Sequence, residues 1–128
     1  MKTFTMVHTS DLHLGSLFSS TPEVADEMRT EQIDTLKQIL DLCTENSADA
    51  LLIAGDMFDC LRMEDAYLER VKSLISHYNV RVFITPGEHD PFTPDSCYNT
   101  EWPQNVHIFR GGMEKVEIPE KNTCVWGA

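Results

Sequence analysis

Residues Ala48 to Ala54 form a short run that is apolar at every position except Asp49, and it stops at Gly55. Such a run suits a strand buried on both faces, as found in parallel sheets covered by helices. Parallel neighbours cannot be joined by a hairpin, so the flanking segments must supply crossovers, usually helical. They read that way. Thr21-Pro22-Glu23 predicts a helix start, with Thr as N-cap, Pro at the first helical position and an acid near the positive end of the dipole. Beyond it, Ala25, Met28, Leu36, Ile39, Leu40 and Cys43 recur at helical spacing as one apolar stripe, with Glu27, Glu31, Asp34 and Lys37 on the polar side. Glu64 to Tyr78 predicts a second amphipathic helix, carrying Tyr67, Val71, Leu74, Ile75 and Tyr78 on one side. Phe4 to Thr9 alternates as a first strand, and Val80 to Thr85 is a third, stopped by Pro86-Gly87. The order β-α-β-α-β implies parallel strands with right-handed crossovers.

After Gly87 the pattern changes. A loop with Pro91, Pro94 and Pro103 leads to Asn105–Phe109, then a turn at Arg110–Met113, then Lys115–Ile118 and Thr123–Trp126. These short segments predict a meander or hairpin added to the sheet. The expected fold class is therefore α/β. The 128 residues amount to one domain. Because the chain stops just after an apolar strand, residues 1–128 are expected to be the amino-terminal portion of a larger domain.

Charge limits the function. Ten Lys and Arg against 21 Asp and Glu leave a net charge of −11. A plain nucleic-acid binder neutralises phosphates with Lys and Arg and is usually basic. This chain can meet a phosphate only if another source supplies positive charge, and a bound divalent metal is the obvious one. Much of the acid also suits solvated helix faces. No apolar run approaches the ~18 residues of a membrane span, and the amino terminus lacks a secretion signal. A soluble, cytoplasmic domain with no membrane association is expected. The four cysteines form no C-x-x-C pair, so neither a disulfide framework nor a zinc knuckle is expected. Cys43 and Cys124 read as small core residues, Cys60 and Cys97 as loop thiols.

Potential metal ligands gather in three turns, each following one strand of the parallel run: Asp11-Leu12-His13, Gly55-Asp56-Met57-Phe58-Asp59 and Gly87-Glu88-His89-Asp90. In a parallel sheet the carboxyl ends of the strands share one edge, where ligands of open α/β folds bind. The intervals between Asp11, Asp56 and His89 each fit one crossover unit of about 30 residues or more. Asp11, Asp56 and Glu88 offer hard oxygen donors and His13 an imidazole nitrogen. That mixture suits Mn²⁺, Fe or Zn²⁺ better than an all-oxygen Mg²⁺ or Ca²⁺ cage. Each string alone arises by chance; three in order on successive strand ends do not arise easily.

Taken together, D-x-H, G-D-x-x-D and G-x-H-D in this order resemble the calcineurin-like metallophosphoesterases. The flanks Val7–Gly15, Asp49–Asp59 and Asn105–Phe109 resemble the SbcD-type nuclease subunit, the branch of DNA double-strand-break repair exonucleases. The resemblance implies an incomplete four-layer α/β/β/α sandwich and metal-dependent phosphodiester hydrolysis on DNA, with two divalent metals, most readily Mn²⁺. By the same resemblance Asp11 and His13 hold the first metal, Asp56 bridges both, and Glu88 ligates the second. His89 then acts as general acid or transition-state stabiliser, with Asp59 orienting its imidazole. The metals polarise the phosphodiester and lower the pKa of a bound water. An SMC-like ATPase subunit and a homodimer come with the resemblance as expected partners; neither is legible in the residues.

Two departures bear on these expectations. The family has Asn where this chain has Glu88, which lowers the positive charge of a metal-loaded site and alters the ligand. The family's remaining ligands, a lone His and a later G-H-x-H motif, have no counterpart before Ala128, so the chain carries about half of a two-metal site. The rival readings are a phosphatase or cyclic-nucleotide phosphodiesterase on the same fold, and a non-catalytic relic serving as a binding module. A receiver-like signalling domain also gathers acids at strand ends, but His13 and His89 count against it.

Overall fold

The computed structural model describes residues 2–128. Four parallel strands, β1 (Met6–Thr9), β2 (Ala50–Ala54), β3 (Arg81–Thr85) and β4 (Val106–Ile108), lie side by side in sequence order. Helix α1 (Ala25–Glu45) links β1 to β2, and α2 (Asp65–Ser76) links β2 to β3. Since the order never reverses and such crossovers are right-handed, both helices fall on one face. Their stripes pack with Val7, Leu51, Ile53, Val82, Ile84, Val106 and Ile108, which the register sets on that face. Leu36, Leu40, Val71 and Ile75 are fully buried there.

The α/β architecture and its three-strand parallel core agree with the sequence reading. Three details differ. Thr21 makes no side-chain cap; a 3-10 turn at Pro22–Val24 precedes α1, and the Thr21 hydroxyl turns back to the Phe18 carbonyl and the Met28 sulfur. The 105–109 segment is no part of a meander, because β4 pairs parallel with β3 after a long connection that contains only a 3-10 turn at Cys97–Asn99. The last two strands, β5 (Glu114–Ile118) and β6 (Thr123–Gly127), form an antiparallel hairpin that is a sheet of its own. It packs on the second face of the main sheet through Val116, Ile118 and Val125, against Ala50, Phe83 and Phe109. That cover reaches only part of the face. Met6, His8 and Ala54, which share it, are exposed, so the apolar run of β2 is buried fully on the helix side alone.

A single amide sets the start of β4. Asn105 Nδ2 donates to the carbonyls of Ile75, Tyr78 and Val80 at 3.0–3.2 Å, joining the end of α2 to the entries of β3 and β4. The Val82 N–H in turn donates to the Asn105 carbonyl at 2.8 Å. Carbonyls left unpaired in a part-buried site cost about 1–3 kcal/mol. Asn105→Ala is therefore expected to lower unfolding free energy by about that amount. Urea denaturation checks it, and an unchanged midpoint would show that water replaces the amide.

Candidate metal centre

The sheet's carboxyl edge is built by turns that hydrogen-bond to one another. After β1, the N–H groups of Asp11, His13 and Leu14 donate to the carbonyls of Gly55, Asp56 and Met57 at 2.8–3.0 Å, and the Asp59 N–H donates back to Leu14. The β1–β2 pairing is thus carried past the strand ends. Doing so forces Asp11, His13 and Asp56 into the left-handed region, with φ of 55°, 48° and 51°. They are three of the six non-glycine residues with positive φ among the described residues. Each such residue costs of order 1–3 kcal/mol when strained, and such positions cluster at functional sites.

The third turn arrives by close approach. A Cβ on Gly87 would overlap the backbone nitrogen and carboxylate of Asp56, so only glycine fits there. The contact brings His89 over Asp56. The His89 N–H donates to Asp56 Oδ1 at 2.9 Å, and its ring Nδ1 lies 3.0 Å from Oδ2. The His13 and His89 rings stand edge to face at 4.9 Å.

His13, Asp56 and His89 together present ligand atoms within 4.8 Å of one another. Asp59 Oδ1 lies 2.8 Å from His13 Nδ1. With Nδ1–H donated to that carboxylate, Nε2 keeps its lone pair and faces Asp11 Oδ1 and Asp56 Oδ2, each 3.9 Å away. A carboxylate behind a histidine fixes the tautomer and raises its basicity as a ligand. Two imidazoles and a carboxylate, one imidazole so held, are a donor set that fits a divalent transition metal.

The structure places the expected site residues as follows. Asp59 meets His13 and makes no hydrogen bond to His89 among the described residues, because its own N–H is held by Leu14 and this turns its carboxylate toward the first motif. His89 enters the donor cluster, the place the resemblance gives to position 88. Glu88 is exposed and makes no hydrogen bond or ion pair among the described residues, so it stands at the rim outside that cluster. Asp11 remains at the solvent side, near His13.

The sequence assigned no role at the site to the remaining supports. From α1, Gln32 donates to the His13 carbonyl at 2.7 Å and accepts from the Gly15 N–H at 3.0 Å. The Tyr67 hydroxyl also accepts from Gly15 and donates to the Arg29 carbonyl. Asp90, the last letter of the third motif, is fully buried beneath the site.

Comparison with known proteins agrees with this geometry. Residues 4–128 match the calcineurin-like phosphoesterase family, and the chain belongs to it. It is 29% identical over 120 residues to the uncharacterized metallophosphoesterase YhaO of Bacillus subtilis (strain 168), a match covering 85% of this chain and 28% of that protein. It is also 26% identical over 89 residues to the SbcD subunit of the nuclease SbcCD from the same organism, covering 66% of this chain and 22% of that one. Against the DNA double-strand break repair protein Mre11 of Aeropyrum pernix it is 30% identical over 89 residues, again 66% of this chain and 20% of the relative. The chain thus spans 20–28% of the length of these curated relatives. Among the described residues, no helix is long and apolar enough to cross a membrane.

The pairing at the centre has a pH signature. The hydrogen bond to Asp56, and then its charge, raise His89 above the usual imidazole value. The His89 backbone N–H holds Asp56 below the usual carboxylate range, with further help from the His89 ring and against the cost of burial. A raised His contributes stability that is complete below its unfolded value and lost as pH rises through the folded one. A lowered Asp contributes above its unfolded value and loses it as pH falls through the folded one. The metal-free pair therefore stabilises most in the mildly acidic window between them. In NMR titration of the metal-free chain, Asp56→Asn is expected to bring His89 down toward the ordinary imidazole value. An unmoved titration would show that the pair does not form in solution.

Proposed function

We propose that this chain supplies part of the active site of a metal-dependent phosphodiesterase acting on DNA, of the repair-exonuclease kind. The observation that carries this reading is the convergence of His13, Asp56 and His89 at the carboxyl edge, with Asp59 behind His13. Asp11, His13, Asp56 and His89 would hold divalent metal, for which Mn²⁺ is the first choice on donor chemistry. When bound, such metal polarises a phosphoester and makes water a better nucleophile near neutral pH.

The chain's own residues do the rest. Asp59 keeps the Nε2 lone pair of His13 turned into the site. Asp56 presents a carboxylate fixed by the His89 backbone. The His89 ring is half-exposed at the mouth; where it stays off the metal, its imidazole is instead suited to hand a proton to a leaving oxygen near neutral pH. DNA as the substrate is supported by the names of two relatives, the SbcCD nuclease and the double-strand break repair protein Mre11. An SMC-like ATPase subunit and a homodimer belong to the same proposal, for the longer protein.

One observation favours a second reading, a phosphatase or cyclic-nucleotide phosphodiesterase with a small substrate. Seven of the ten Lys and Arg already pair with a carboxylate: Arg29, Lys37, Arg62, Lys72, Arg81, Lys115 and Lys121. Few cations remain to follow a DNA backbone, which is usually held by Lys and Arg.

In calorimetry with Mn²⁺, this chain is expected to bind saturably and Asp56→Ala to bind none; no binding by the parent chain would defeat the metal reading. In the full-length protein, turnover of linear duplex DNA against a small phosphomonoester separates the two substrate classes. There Glu88→Asn is expected to raise phosphodiester turnover several-fold, because a negative charge leaves the rim. No change, or a fall, would overturn the electrostatic role of Glu88.

A further inference from the structure

Beneath the metal centre lies a buried carboxylate that the ligand set does not use. Asp90 is 0% exposed and makes no ion pair with Lys, Arg or His among the described residues. An ionisable group this deep is costly unless its oxygens are fully hydrogen-bonded. They are. Oδ1 accepts the N–H of Asp56 at 3.2 Å and that of Gly87 at 2.7 Å. Oδ2 accepts the N–H of Phe58 at 3.0 Å and the hydroxyl of Tyr98. Two of the three N–H donors come from the turn after β2 and one from the turn after β3. No other side chain among the described residues bonds to backbone donors of both turns.

From this we propose that Asp90 is a positioning residue for the metal centre, clamping the Asp56 turn to the His89 turn from below. The inference rests on the proposed metal role of Asp56 and His89. The geometry explains why a carboxylate is needed. Two turns that present N–H groups toward each other repel unless an acceptor lies between them, and a concavity of backbone N–H groups favours an anion. Gly87 closes the same gap from above by having no side chain, so the two turns meet with Asp90 on one side and the Asp56–His89 pair on the other. Tyr98, itself fully buried, completes the donor set. Burial and the neighbouring Asp90 push its phenol well above the usual range, so it serves as a donor to Oδ2 throughout ordinary pH.

The chemistry sets a graded test. In Asp90→Asn one oxygen becomes an NH₂ group. The Tyr98 hydroxyl can rotate to accept from it, whereas a backbone N–H cannot. The amide should therefore keep its oxygen on Asp56 and Gly87 and abandon Phe58. Asp90→Ala removes every acceptor, and Tyr98→Phe removes one donor but leaves the bridge between the turns.

Mn²⁺ affinity by calorimetry, with stability by urea denaturation, is measured on the three variants of this chain. Affinity is expected to fall about 10–100-fold in Asp90→Ala, as for other outer-shell partners. It should fall less in Asp90→Asn, and stay near the parent value in Tyr98→Phe although that variant also loses stability. An Asp90→Ala variant that binds like the parent overturns the proposal. So does an affinity loss that simply follows stability across all three, since that is what a purely structural role gives.

Amide exchange on the unmodified, metal-free chain gives the second measurement. The Asp56, Phe58 and Gly87 amides are expected to be protected together, and free exchange at Asp56 or Gly87 overturns the clamp. That readout decides the matter if Asp90→Ala does not fold. It also separates the two ideas: a parent chain that binds no Mn²⁺ but protects these amides keeps the clamp and loses the metal reading.

Discussion

The turn that follows β3 rests directly on the turn that follows β2, so close that a Cβ on Gly87 would overlap the carboxylate and backbone nitrogen of Asp56. Much of the centre depends on that contact. Parallel pairing of β2 with β3 places the two turns side by side, and the Gly55 N–H continues the ladder to the Thr85 carbonyl at 2.9 Å. Only then can the His89 N–H reach Asp56 Oδ1 and its ring reach Oδ2. The first turn is brought in differently, by backbone bonds that extend the β1–β2 ladder beyond the strands. Since the strand order never reverses, there is no crevice between diverging crossovers. The site is made by stacked turns at one edge, open to solvent above and closed below by the buried Asp90 and Tyr98.

Such an edge is assembled against local cost. Three residues with left-handed backbone and a buried carboxylate each lower stability unless their surroundings compensate. The compensation is visible in Gln32, which holds both sides of the strained His13 segment, and in the donors around Asp90. Leu14 and Phe58, paired in an isolated parallel bridge and fully buried, anchor the first two turns to the main core. The polar edge is therefore continuous with the helix-side packing, and motion at the edge must disturb that core.

Much of the architecture could be read from residues alone because its signals are periodic. The β2 run, the stripe of α1 and the alternation of the first strand each repeat over enough positions to outweigh local noise. Where the sequence misled, the deciding physics was not local. β4 looks like any short strand; its parallel partner is chosen by the Asn105 bonds to segments 25–30 residues earlier. The hairpin looks like an extension of the sheet, but its apolar side chains are better buried on Phe83 and Phe109 than paired at an edge. At the site, spacing placed Asp11, His13, Asp56, Asp59 and His89 at one edge and could not say which imidazole Asp59 would meet. That choice turns on one backbone bond, from Asp59 to Leu14. Gln32 and Tyr67 were invisible because they lie on helices whose pattern reports only burial.

Glu88 is the remaining departure from the family pattern, and magnitudes decide how much it can matter. Were it a ligand, exchanging a neutral amide for a carboxylate would alter the coordination itself. In this structure it is exposed and outside the donor cluster, so its influence passes largely through solvent. A unit charge acting through water across about 4 Å contributes about 1 kcal/mol. Beyond about 8 Å, physiological salt screens most of it. An effect of that size alters phosphate attraction by a small factor and leaves the metal centre intact. A decayed site would be expected to shed its costly parts first, since a relaxed backbone at Asp11 would favour the fold. Those parts are present: the strained turns, the glycine contact and the buried acceptor that joins them all remain. The carboxylate at the rim thus stands outside a strained and buried framework that is present in full.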